Sequence, residues 1–258
     1  MVKCYAASLG NCSDAQSREH YIPKAIWSVP KVNVEGFSWT SENAEPLPVE
    51  RLASNILCTT HNSDLSYLDA ECQRLFNTVR TFHVNQLERR DRPRSSLWQV
   101  DRADFDGTTI ERIFIKIAIG IAQHEKDLRW AGTNTAAIDP PKEVINALFG
   151  KCPLVSPMGL YFATSVGELV TNEESVRIQT MRHPKTDCFV GAFIAVRDWQ
   201  WFINLSDIEF SQYAARSMSG QQIGKDGKPP VYHLETINFP AKGKLSGQIN
   251  IDWDRVDR

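Results

Sequence analysis

The run Cys58-Thr59-Thr60-His61 limits this chain more than any other stretch of it. Two donors three positions apart can converge on one ion, and a structural zinc takes four soft or borderline donors in a tetrahedron, usually as two pairs. Cys58 and His61 make a good second pair. Cys4 and Cys12 are the candidates for the first pair. Seven residues separate them, against roughly two to four in the usual knuckle. The other cysteines, Cys72, Cys152 and Cys188, each sit alone in an apolar pattern and read as ordinary thiols. Six cysteines in 258 residues are too few for a disulfide scaffold and point to a reducing compartment.

Composition limits the partners. Hydrophobic residues make up 42% of the chain and charged ones 23%, enough for a substantial core in one large or two modest domains. No run of 18 apolar residues exists, and no apolar leader opens the sequence, so no membrane partner and a cytoplasmic location are expected. The net charge is −2, where a non-specific nucleic-acid binder would be strongly basic. Residues 1–75 are themselves acidic, with six Lys or Arg against nine Asp or Glu. Any nucleic-acid contact must therefore come from a local cluster, and Arg89, Arg90, Arg92 and Arg94 form one within six residues.

The pattern along the chain predicts an α+β fold. Residues 31–50 are polar and punctuated by Pro and Gly, which suggests a loop or weak hairpin. Leu65, Leu68, Cys72, Leu75, Phe76 and Val79 recur at helical spacing, giving a helix over residues 63–80. Thr108 and Glu111 form a capping box ahead of Ile110, Ile113, Phe114, Ile117, Ala118 and Ile121, with Ile115 and Ile119 on the other side. That is a long, largely buried helix. A short helix follows Pro140-Pro141 over residues 141–149. Beyond Cys152 the texture turns to strands of an antiparallel-type sheet: GLYFATSV, ESVRIQTM, CFVGAFIAV, WQWFINL, and two more flanking the GKDGKPP loop. The expected organisation is a zinc-stapled unit at 1–85, a basic linker at 86–104 and an α+β domain at 105–258.

The remaining signals are chemical. Phosphodiester hydrolysis needs a base to activate water and a cation to stabilise charge on the phosphate. Glu19-His20 offers a carboxylate beside an imidazole, with Pro23 closing the strand soon after, and Asn62 could complete a metal site beside Glu19. These residues together resemble the HNH endonucleases. The resemblance is carried by Glu19-His20-Tyr21-Ile22-Pro23, by Asn55-Ile56-Leu57-Cys58-Thr59-Thr60-His61-Asn62, and by Leu65-Ser66-Tyr67-Leu68-Asp69. It covers roughly residues 1–80 and implies a ββα-metal finger with His20 as the general base. Asn55 would tie down the loop between the strands, and Glu19 and Asn62 would hold a catalytic Mg²⁺ or Mn²⁺. Cys4, Cys12, Cys58 and His61 would bind a structural zinc in place of a small core. The implied substrate is nucleic acid, DNA before RNA, with restriction or phage defence as the setting. The departures from the pattern are Glu19 for Asp, Asn62 for His, His61 for a fourth cysteine, and an insertion at 31–50.

Residues 95–258 carry no further motif. They could serve target recognition, sensing, or partner binding, including self-association into a homo-oligomer. His183 and His233 lack spacing partners, and Trp199 and Trp201 read as one face of a packed sheet rather than a stacking platform for bases. The arginine cluster is placed to contact phosphates that the acidic N-terminal unit cannot attract. The competing function is a catalytically silent zinc-stapled binding module.

Overall fold

A computed structural model describes residues 3–40, 44–125, 128–130, 139–162, 174–183, 185–207 and 231–254. The GKDGKPP loop and the end of the GLYFATSV segment lie outside them. Within them the chain is mixed α and β, and its sheets are mostly antiparallel.

The N-terminal unit pairs β1 (Gln16–His20) antiparallel with β4 (Ala53–Cys58). Helix α1 (Thr59–Asp64) follows β4 without a break, and α2 (Ser66–Asp91) runs on for 26 residues. The apolar spacing predicted α2 only to about residue 80. The helix continues with a buried stripe that turns polar and is partly satisfied by other elements, His83 Nδ1 and Gln86 Oε1 having no hydrogen-bond partner among the described residues. Phe82, His83 and Gln86 are buried, the Gln86 amide donates to the Pro240 carbonyl at 2.6 Å, and Arg89 pairs with Asp101 at 2.9 Å. Little remains of the expected linker, because β5 (Asp101–Asp106) already begins within it.

Residues 31–50 are the larger surprise. They form the hairpin β2 (Lys31–Glu35) and β3 (Glu45–Pro48), and β2 pairs in parallel with β7 (Ser175–Arg182). The insertion thus belongs to a seven-stranded sheet, completed by β6 (Gly159–Phe162), β8 (Phe189–Val196), β9 (Trp199–Asn204) and β10 (Val231–Tyr232), in the order β10-β6-β9-β8-β7-β2-β3. A three-stranded sheet holds β11 (Thr236–Ala241), β12 (Lys244–Asp252) and β5, with β12 parallel to β5.

Helix α3 (Gly107–His124) fills the space between these layers. Asp106 caps it, its carboxylate accepting from the Thr109 amide at 2.6 Å. Ile113, Phe114, Ile115, Ile117, Ala118 and Ile119 are all buried, so the helix has no solvent face over its middle turns. Helix α4 (Lys142–Leu148) packs beside it. Trp199 and Trp201 face inward from β9 and are 1% exposed. Trp199 meets Phe76 of α2 edge-on at 5.7 Å, and Trp201 lies 4.9 Å from Phe114 of α3. One apolar cluster reaches from Cys4 to Ile251.

Helix α3 packs tightly on the N-terminal unit at Gly120. A Cβ there would stand 2.1 Å from Cβ of Tyr21, the residue after β1. We therefore expect Gly120→Ala to destabilise the fold by about 1–3 kcal/mol through overpacking, despite alanine's better helix propensity. Urea denaturation measures this, and a variant as stable as the parent would mean that α3 can move away from Tyr21.

Candidate metal centre and the strand beside it

Cys58 ends β4 in an extended conformation (φ −78°, ψ 162°) and caps α1, its sulfur accepting from the His61 amide at 3.5 Å. The cap turns the His61 ring back over Cys58, with Sγ to Nδ1 at 3.3 Å. The first pair arrives by a loop. After Cys4 the chain makes a 3₁₀ turn at Ala7–Leu9, and Gly10 (φ 79°) and Asn11 (φ 55°) then reverse it. This reversal absorbs the seven-residue gap. Cys4 Sγ lies 3.3 Å and Cys12 Sγ 3.7 Å from His61 Nδ1.

The four ligand atoms lie within 4.8 Å of one another. A tetrahedral zinc with ordinary Zn–S and Zn–N bonds sets its ligand atoms about 3.5–3.8 Å apart, and these three separations lie close to the edges of such a site. The Cys3His cluster can hold a metal such as zinc. Burial pushes the thiols of Cys4 and Cys12 up, that of Cys4 to about 12. At Cys58 burial acts the same way, but the amides of His61 and Ser13 outweigh it and bring that thiol down to about 6. Without a cation the cluster favours one thiolate, and a bound divalent ion would ionise the others. The Phe149 ring covers His61 edge-on at 5.5 Å.

The neighbouring strand carries the other predicted residues. Pairing slips between Ser17 and Glu19, so Asn55 and Ile56 of β4 bulge opposite Arg18. Asn55 is exposed. Its carbonyl accepts from Gln16 at 2.7 Å, and its side chain makes no hydrogen bond to a described residue. The Asn62 amide donates to the Ser17 hydroxyl at 2.9 Å, tying α1 to β1. His20 is half-buried at the end of β1, its Nε2 enclosed without a hydrogen-bond partner. Burial first, then Arg18 and Lys24, hold its pKa below the usual histidine value. The ring is neutral at pH 7.

Glu19 points the other way, as the next residue on a strand does. It is 3% exposed and its Oε1 lies 2.6 Å from Nζ of Lys116, a residue of α3 that is itself 2% exposed. Lys116 donates to Asp69 at 2.5 Å. Burial and Asp69 push the Glu19 carboxyl up against the pull of Lys116. The two carboxylates raise the Lys116 pKa despite its burial, so the ammonium stays charged. Sequence reading missed Lys116, because a lysine within an apolar helix stripe carries no sign of its partner.

The arginines divide. Arg89 is turned inward, donating to the Ser246 carbonyl and to its hydroxyl at 3.0 Å. Arg90, Arg92 and Arg94 are exposed. The β11–β12 turn adds Lys242, which donates to the Arg92 carbonyl, and Lys244, which donates to that of Arg94 at 3.1 Å. Five cations thus gather at the end of α2, with the exposed Glu88 and Asp91 nearby. His183 and His233 have local roles. Nδ1 of His183 accepts from the Lys185 amide at 3.1 Å, and His233 stacks between Tyr232 and Trp253.

No family model, curated protein or solved structure matches the chain, so residue geometry alone carries the functional reading. For the cluster, elemental analysis of purified protein should find about one zinc per chain, and Cys58→Ser should lose it together with order in residues 3–64. A folded, zinc-free parent protein would refute the metal assignment.

Proposed function

We propose that the chain is an HNH-type endonuclease that hydrolyses phosphodiester bonds, DNA before RNA, with His20 as general base. The observation that supports this most is a neutral, half-exposed histidine at the end of β1, on a strand pair whose opposite end, at Gln16 and Cys58, is stapled to α1 by four convergent metal donors. With Nε2 enclosed, Nδ1 is the nitrogen that water can reach. The base role requires the tautomer with its proton on Nε2 and its lone pair on Nδ1, which takes a proton from water as that water attacks phosphorus. Ser17 and Asn62 hold α1 against the strand. The zinc cluster has no part in the chemistry and fixes the hairpin.

The resemblance also implies a Mg²⁺ or Mn²⁺ ion, which would polarise the phosphate, on Glu19 and Asn62. These residues do not fit that ion as arranged, because the Glu19 carboxylate is buried against the Lys116 ammonium. The same contact favours the second reading, a silent zinc-stapled binding module. An assay separates the two: His20→Ala should lower the cleavage rate of the zinc-loaded protein by about 10²–10⁴. In the parent, the rate should fall on acidification only below the ordinary histidine range, since the base must be neutral and its pKa is depressed. Equal rates in parent and variant would remove His20 from its role, and absence of cleavage of both DNA and RNA would favour the silent module.

Substrate affinity falls to the basic patch, since the N-terminal unit is acidic. Arg90, Arg92 and Arg94 are free to meet phosphates that Arg89, held by Ser246 and Asp101, cannot reach. We expect Arg90→Ala, Arg92→Ala and Arg94→Ala together to weaken duplex binding and to flatten the plot of log affinity against log salt. Each lost phosphate contact should reduce the slope by about 0.9. An unchanged slope, measured by fluorescence anisotropy across a salt series, would place binding elsewhere.

A further inference from the structure

We propose that Lys116 occupies the cation seat beside the catalytic strand, closing Glu19 to divalent metal and supplying from within the fold the charge that an ion would bring there. The inference rests on the hydrolase reading for its meaning, but not for its test. Three observations carry it. Nζ of Lys116 lies between two carboxylates, 2.6 Å from Glu19 and 2.5 Å from Asp69. These three groups come from separate elements, β1, α2 and α3, so the meeting is made by the packing of α3 and not by local sequence. Glu19 and Lys116 are 3% and 2% exposed. The charges of Glu19 and Asp69 reach the buried Tyr5, and those of Asp69 and Lys116 reach the buried Cys72. The Asp69 side chain is 38% exposed, so the seat is buried on the Glu19 and Lys116 side and open on that of Asp69.

A divalent ion and this ammonium exclude each other. Metal on Glu19 would stand within a few ångströms of Lys116, and like charges in a poorly solvated site repel strongly. Moving the lysine aside would strand a buried cation that α3 cannot carry to solvent without disrupting its packing. The pair also anchors the end of β1 to α3, next to His20.

The test is Mn²⁺ binding to the zinc-loaded full chain, read by the electron paramagnetic resonance signal of free Mn²⁺, and it needs no nuclease activity. Glu19→Gln should change Mn²⁺ affinity by less than twofold. Lys116→Gln, which frees two carboxylates facing one space, should tighten Mn²⁺ binding at least tenfold, and adding Glu19→Gln should abolish that gain. Lys116→Arg keeps the cation and should show no gain. A tenfold loss of affinity in Glu19→Gln alone would overturn the proposal by showing that metal reaches Glu19 past the lysine. No gain in a folded Lys116→Gln protein would overturn it too. If Lys116→Gln does not fold, the parent against Glu19→Gln comparison decides alone. A protein that cuts no nucleic acid yet shows this Mn²⁺ pattern would lose the hydrolase reading and keep the closed seat.

Discussion

A helix without a solvent face must be covered on every side, and α3 imposes that requirement on the whole chain. Its middle turns place isoleucines around the full circumference, so no single sheet or helix can cover them. The cover comes from α2, from the seven-stranded sheet, and from the residues after β1, where Gly120 lets Tyr21 come close. The N-terminal unit is thus a wall of the core that α3 anchors. Lys116, buried on α3, is the place where that wall is held by charge rather than by apolar contact.

Two kinds of fastening meet at the strand carrying His20. On one side are the metal donors, which draw residues 4, 12, 58 and 61 into one cluster. On the other is the ion pair from Glu19 to Lys116. Both hold the β1–β4 pair, and neither needs much apolar surface. His20 follows Glu19 at the end of β1 opposite Ala53, neutral because it is partly desolvated and faces Arg18 and Lys24. Under the proposed function this strand would supply the base and a rigid support for it. The cationic surface that a nucleic acid would need lies at the far end of α2, about 39 Å along a 26-residue helix, where the β11–β12 turn meets the arginines.

Much of this was legible in the residues. The four donors come together as their types and the Cys58-x-x-His61 spacing suggested, since ligand chemistry belongs to the side chain and the pair is set by one turn of helix. The buried character of α3 followed from apolar residues on all its faces. Trp199 and Trp201 lie in the core, as their alternation on a strand implied. The end of α2 was not legible, because its last buried positions are His83 and Gln86, which an apolar period does not count.

The sequence by itself determined the classes of element, the donor set and the presence of a histidine beside a carboxylate, all properties of residue type and short spacing. Tertiary structure alone decided partners. It laid β2 and β3 in the large sheet beside β7, brought Lys242 and Lys244 to the arginines 150 residues away in the chain, and gave Glu19 to Lys116. Periodicity says which face of an element is buried and nothing about what buries it. A carboxylate expected to face a metal could therefore face an ammonium instead.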